Sequence, residues 1–155
     1  KQYDAVVLDA FLGDSSPSHL MTREAFASIR RVLRPGGTLV INSFGDLEEG
    51  KDFFAASLHR TLQAVFPGVR IHTSGDGGIF FAATDRAAPA FVHPPSLENI
   101  HPDVLRDTRA TYTGLVDTLP GHGRVLTDDY NPAEFYDARN REEVRRRLAM
   151  AAKDM

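Results

Sequence analysis

The chain has 155 residues, with 18 basic against 21 acidic side chains and a formal net charge of -3. That length fits one domain, and the charge balance excludes a strongly basic nucleic-acid binder. With 42% hydrophobic residues it can bury a core, and without cysteine it has no disulfide, thiolate metal site or cysteine nucleophile.

No run of about 18 apolar residues is present to cross a membrane. Lys1-Gln2-Tyr3-Asp4 leads straight into a strand-like run with no signal-peptide pattern. The expected location is cytoplasmic. Ala5-Val6-Val7-Leu8 is a continuous apolar run ending at Asp9, as suits a strand buried on both faces in a parallel sheet. Ala10 to Met21 carries Gly13, Asp14, Ser15, Ser16 and Pro17, which is loop chemistry. Thr22 is placed to cap a helix whose apolar face is Ala25, Phe26, Ile29, Val32 and Leu33. Pro35-Gly36-Gly37 is expected to stop it.

Leu39-Val40-Ile41 opens a second buried strand running to Phe44, and Phe54, Leu58, Leu62 and Val65 mark a second amphipathic helix ended by Pro67-Gly68. Val69, Ile71 and Thr73 alternate with polar residues at strand period. A glycine-rich turn over Ser74 to Gly78 then leads to the strand Ile79–Ala83, close enough to form an antiparallel hairpin.

The order β-α-β-α-β-β indicates an α/β layered sheet. It reads as half of a Rossmann-like doubly wound sheet: two parallel strands with crossover helices, then an antiparallel hairpin, plus a helical C-terminal extension. Residues 1–85 form the sheet unit and 86–155 a connector and helical extension packing on it. The extension is expected to hold a helix between Pro102 and Leu119, a loop over Leu126–Pro132, and a last helix starting near Asn140. Asn140 and Glu143 have capping-box spacing, Val144 and Leu148 form a thin apolar stripe, and Arg145, Arg146 and Arg147 form a solvated face.

Asp9 is the first candidate for chemistry. Ligands of open parallel sheets sit beyond the carboxyl ends of the strands, and a carboxylate there accepts a proton from an amine or holds a cation. Asp9 as a loop-entry residue bonded to local backbone is the equally weighted alternative. A phosphoryl-transfer aspartate pair needs an acid at position 11, where Phe11 stands. The sequence holds no nucleophile elbow and no P-loop. Asp9, Asp14 and His19 match no standard metal spacing, so no metal is expected. His59 and His72 read as structural. Gly75-Asp76-Gly77-Gly78 precedes a strand, so it reads as a hairpin turn and not as a phosphate cradle.

Three stretches carry a resemblance: Tyr3 through Phe11, Pro17 through Phe26, and Leu33-Arg34-Pro35-Gly36-Gly37-Thr38-Leu39-Val40-Ile41-Asn42. They resemble the spermidine synthase family, and more closely its spermidine synthase-like bacterial branch. Leu126-Thr127-Asp128-Asp129-Tyr130-Asn131-Pro132 is similar to a late motif of that branch. The resemblance implies the class I S-adenosylmethionine-dependent methyltransferase fold, of which this chain supplies the C-terminal half. It implies aminopropyl transfer from decarboxylated S-adenosylmethionine to an amine acceptor, with a place in polyamine biosynthesis. Asp9 then occupies the place of the base for the acceptor amine and also lines the nucleoside, with Pro17 and Leu20. Asp14, and Asp128 and Asp129 where the C-terminal loop folds back, are expected to add a negative field for a cationic acceptor, and Tyr130 either covers the site or is a core or surface tyrosine.

The departures are specific. The second acid of the family stands where Leu12 is, and a Tyr-Pro element before the last hairpin strand is replaced by Thr73-Ser74-Gly75-Asp76-Gly77. The glycine-rich loop and the strand-ending acid that hold nucleoside and ribose are outside this sequence. The chain alone is therefore expected to be inactive and to leave its first strand as a sheet edge, covered by another chain, as in an oligomer, or by the N-terminal half. The other expected partner is a small-molecule amine, with no nucleic acid and no membrane. Methyl transfer from S-adenosylmethionine on the same scaffold, and a binding or regulatory module without catalysis, are the competing readings.

Overall fold

The computed structural model describes residues 2–10, 17–75, 77–87, 95–116 and 121–151. Along the chain run β1 (Tyr3–Leu8), a single 3₁₀ turn (Ser18–Leu20), α1 (Arg23–Val32), β2 (Leu33–Phe44), α2 (Phe53–Gln63), β3 (Gly68–Thr73), β4 (Gly78–Thr84), α3 (Pro102–Thr113) and α4 (Ala133–Ala151). The sheet order is β1-β2-β4-β3. β1 and β2 are parallel, and β4 is antiparallel to both β2 and β3. β3 therefore runs with β1 and β2, and only β4 is reversed. This is the α/β sheet expected from the sequence. The carboxyl ends of β1, β2 and β3 share one edge, where β4 begins.

Period explains the layering. In β2, Leu39, Ile41 and Ser43 are buried while Val40, Asn42 and Phe44 lie on the more open face. The buried face meets α1 and α2 through Phe26, Phe54, Leu58 and Leu62, with Phe66, Ile71, Ile79 and Phe81 completing the core. Each of these side chains contributes about 1.5–3 kcal/mol on burial. Thr22 caps α1 as expected, its hydroxyl accepting from the Ala25 N–H at 3.1 Å.

Two boundaries differ from the sequence reading. Pro35-Gly36-Gly37 does not itself end α1. The helix stops at Val32, and Leu33 already pairs with Tyr3, so the Pro-Gly-Gly run forms an irregularity inside the β1–β2 ladder. Gly36 takes φ 76°, and a Cβ on Gly37 would meet the carbonyls of Arg34, Asp4 and Tyr3 at 2.9–3.2 Å. The last helix starts at Ala133, not near Asn140. The Asn131 side chain accepts from the Ala133 N–H at 3.1 Å, and Pro132 follows at the helix entry. Asn140 is thus inside the helix and no capping box begins there. The side chains of Asn140, Glu143, Val144, Arg147 and Leu148 lie outside the described residues, while Arg145 and Arg146 are exposed.

α3 spans Pro102–Thr113, within the expected window, and packs against β3. His72 lies 3.2 Å from the Thr111 carbonyl, and Val116 N–H donates to the Ile71 carbonyl. His59, half-buried on α2, has its imidazole pushed below the ordinary value of 6.5 by burial. No helix among the described residues is long and apolar enough to cross a membrane.

Candidate active site

Asp9 follows the last residue of β1. The register pairs Leu8 with Ile41, so the next residues, Asp9 and Asn42, stand side by side at the carboxyl edge. Asn42 Nδ2 donates to Asp9 Oδ1 at 2.9 Å. Asp9 is exposed, and its other oxygen accepts no hydrogen bond among the described residues. The pair shares the open face of the sheet with Phe44, which is 51% exposed. The aligned strands bring a carboxylate, a fixed amide donor and an aromatic side chain to one edge. Such a set can take up the proton of a cationic amine.

The later motif folds back toward the same region of sequence. Leu126, fully buried, donates through its N–H to Thr61 Oγ1 at 2.9 Å and accepts from the Arg23 N–H at 2.9 Å. Asp128 Oδ1 accepts from the Thr22 hydroxyl at 2.7 Å, and the Asp128 N–H donates to Glu24 Oε2 at 3.2 Å. Asn131 Nδ2 donates to the Ser18 carbonyl at 2.6 Å, and the Ser18 hydroxyl to Glu134 at 2.8 Å. Residues 126–134 are therefore stitched to the 18–24 segment, next to Pro17, which is buried, and Leu20, which is half-buried. The Glu24 carboxyl is held below its ordinary range by its hydrogen bond from Arg23, reinforced by the Asp128 N–H.

Among the described residues the predicted site residues thus fall into two groups, with Pro17 and Leu20 beside the second. Asp9 stands at the strand edge. Asp128, Asp129 and Tyr130 stand on the strap beside α1. Within it, Asp128 is committed to Thr22, Asp129 is exposed, and the Tyr130 hydroxyl accepts from Arg124 at 3.3 Å. Asp14 and Leu12 lie outside the described residues. A surface groove between α1 and α2, lined by Arg23, Glu24, Arg30, Arg31 and neighbouring apolar residues, contains none of the predicted set. Among the described residues, no three His, Asp or Glu side chains gather as a metal site.

Sequence reading missed Asn42 and the Thr22–Asp128 bond. The first had a signal. Leu8-Asp9 and Ile41-Asn42 both place a polar residue directly after a buried apolar run, and parallel pairing sets such ends side by side. The second joins residues 106 apart and has no local signature.

No family model matches the sequence. A probable spermidine synthase from Corynebacterium glutamicum superimposes with a TM-score of 0.53 and 21% identity, over 81% of this chain and 47% of that structure. The fold is that of the spermidine synthases, of the class I S-adenosylmethionine methyltransferase type. A curated N-terminal histidine N-methyltransferase from Emericella nidulans is 27% identical over 150 residues, 83% of this chain and 26% of that protein. A polyamine aminopropyltransferase from Vibrio vulnificus is 46% identical over 44 residues, 28% of this chain and 15% of that protein. The chain spans under half of the spermidine synthase structure and about a quarter or less of the curated relatives. In sequence and fold it is related to transferases.

Proposed function

We propose that this spermidine synthase-like chain is the acceptor-binding half of a transferase that moves an aminopropyl group from decarboxylated S-adenosylmethionine to an amine, with Asp9 as general base. The observation that carries this is the Asp9 carboxylate at the strand edge, with one oxygen held by Asn42 and the other accepting no hydrogen bond among the described residues. A protonated amine has no lone pair for attack. Asp9 takes its proton and lines the nitrogen up with the carbon to be transferred. The sulfonium donor, when bound, makes that carbon electrophilic.

This chain's residues fit the acceptor side of such a reaction and one flank of the donor, at Pro17 and Leu20. Under this proposal the rest of the donor's nucleoside is held by a further segment that pairs with this one. The sheet edge is in keeping with this. β1 is an outer strand, with Val7 63% exposed and Tyr3 44% exposed, and an apolar edge of that kind is a pairing surface. We infer that in the working protein it is covered.

Methyl transfer to an amine nitrogen is the second reading, favoured by the histidine N-methyltransferase that matches 83% of this chain. Both readings use the same base. The test uses the full-length protein, with S-adenosylmethionine and its decarboxylated form offered separately against diamine and peptide-amine acceptors, and products followed by mass spectrometry. Aminopropylated product is expected, and Asp9→Asn should lower turnover by about 10²–10⁴. Methylated product only would replace the first reading with the second. Unchanged turnover in Asp9→Asn would remove Asp9 from both.

A further inference from the structure

We propose that Asn42 is the positioning residue that fixes which oxygen of Asp9 faces the acceptor amine, an inference that rests on the reading of Asp9 as base. Asp9 is poorly placed to hold its own orientation. It is exposed and sits just past the end of an outer strand, with a neighbouring strand on one side only among the described residues. Asn42 is placed well. β2 is flanked by β1 on one side and β4 on the other, with Asn42 itself in register with Phe80 and its predecessor Ile41 in register with Leu8. Its backbone is therefore held by hydrogen-bonded strands on both sides.

Strand alternation does the rest. Ile41 and Ser43 point into the core, so Asn42 is turned to the open face where Asp9 stands. Chemistry settles the direction of the bond. An ionised carboxylate only accepts, whereas the asparagine amide carries two N–H donors on Nδ2. The 2.9 Å contact from Nδ2 therefore engages Oδ1, which leaves Oδ2 as the oxygen we assign to the incoming proton. Without the amide the carboxylate rotates freely, and the pair of reacting atoms loses its alignment.

The role predicts a split between rate and stability. The bond is on the exposed side of the sheet, where a hydrogen bond adds little to folding, so removing it should cost activity and leave the fold nearly unchanged. In the full-length protein, Asn42→Leu keeps the side-chain size and removes the donor. Its kcat is expected to fall about 10- to 100-fold, with KM for the S-adenosyl donor unchanged and the melting temperature within a few degrees of the parent. Asn42→Asp keeps size and polarity but places a second acceptor against the first, and is expected to lose at least as much. Asn42→Gln, which retains a donor, should recover part of the rate. A structural demand for a polar residue would instead be met by Asn42→Asp.

The result that overturns the inference alone is an inactive Asp9→Asn together with Asn42→Leu and Asn42→Asp variants within twofold of the parent kcat. An active Asp9→Asn overturns the reading beneath it. A drop in kcat matched by equal losses in Asn42→Gln and a lowered melting temperature in all three variants assigns Asn42 to the fold, and also overturns the inference.

Discussion

Thr61 joins α2 to the strap that carries the late motif, and its hydroxyl can be tested without disturbing shape. Thr61 is fully buried. Its hydroxyl donates to the Ser57 carbonyl at 2.6 Å and accepts from the Leu126 N–H at 2.9 Å. Thr61→Val exchanges hydroxyl for methyl at almost constant volume. The Ser57 carbonyl keeps its helical partner, but the Leu126 N–H, on a residue with no exposure, loses its acceptor. Leaving a buried donor unsatisfied costs about 1–3 kcal/mol. In a protein of this size that lowers the melting temperature by about 2–4 °C per kcal/mol. Thr61→Ser keeps both bonds and removes one methyl, at about 1 kcal/mol. Urea unfolding of both variants, with amide exchange followed at Leu126, separates the two effects. The expected order is valine worse than serine, with faster exchange at Leu126 in the valine variant only. Equal stabilities with unchanged exchange would refute the claim that this hydroxyl anchors the strap.

Two further outcomes follow from the same packing. Gly123 lies against α2, where an added Cβ would overlap the Ala56 carbonyl group and stand 2.6 Å from the Ser57 nitrogen. Gly123→Ala should therefore destabilise by about 1–3 kcal/mol and loosen the Arg60 bonds to the Gly121 and Gly123 carbonyls at 2.8 and 3.0 Å; a neutral substitution would contradict that close approach. His59 has its imidazole held below 6.5 by burial, so the unfolded chain takes up the proton first. Its contribution is intact above 6.5 and is lost as pH falls through the lower, folded value. His59→Gln should flatten the decline in urea midpoint between about pH 7.5 and 5, and an unaltered slope would count against the assignment.

The sheet was legible because burial writes itself into the sequence. Ala5–Leu8 and Leu39–Ile41 are uninterrupted apolar runs and both are strands, but neither is covered on both faces as such runs suggest. Val7 is exposed and Val40 lies on the more open face, because the helices pack on one side. The two α-helices between strands announce themselves through apolar spacing and the Thr22 cap. The start of α4 was hidden for a physical reason. Its boundary depends on Asn131 bonding the Ala133 N–H, and Asn131 sits in a motif that reads equally well as loop. The Asp9 edge was half legible. Strand-end position pointed to Asp9, but its partner comes from a residue 33 positions away and exists only through the β1–β2 register. The partner of Asp128 was illegible, since a bond between residues 106 apart leaves no periodic trace.

The reversal of β4 bears on how such a protein diversifies. Because β4 runs against its neighbours, the link from β3 into it at the Asp9 edge is only four residues long, with Gly75 at φ 86° and Gly77 at φ 99°. Gly45 N–H donates to the Gly77 carbonyl at 3.0 Å, which pins the link to the end of β2. The connections leaving β1 and β2 at that edge lead into α1 and α2, whose packing would shift with their length. A hairpin link has no helix to displace, and doubling a loop's length costs only about 0.6 kcal/mol in closure entropy. Insertions in this link can therefore reshape the carboxyl edge of the sheet on the far side of β2 from Asp9, while the ladders and core stay in register. Among proteins built this way, that edge of the sheet is free to change through the length of one short link.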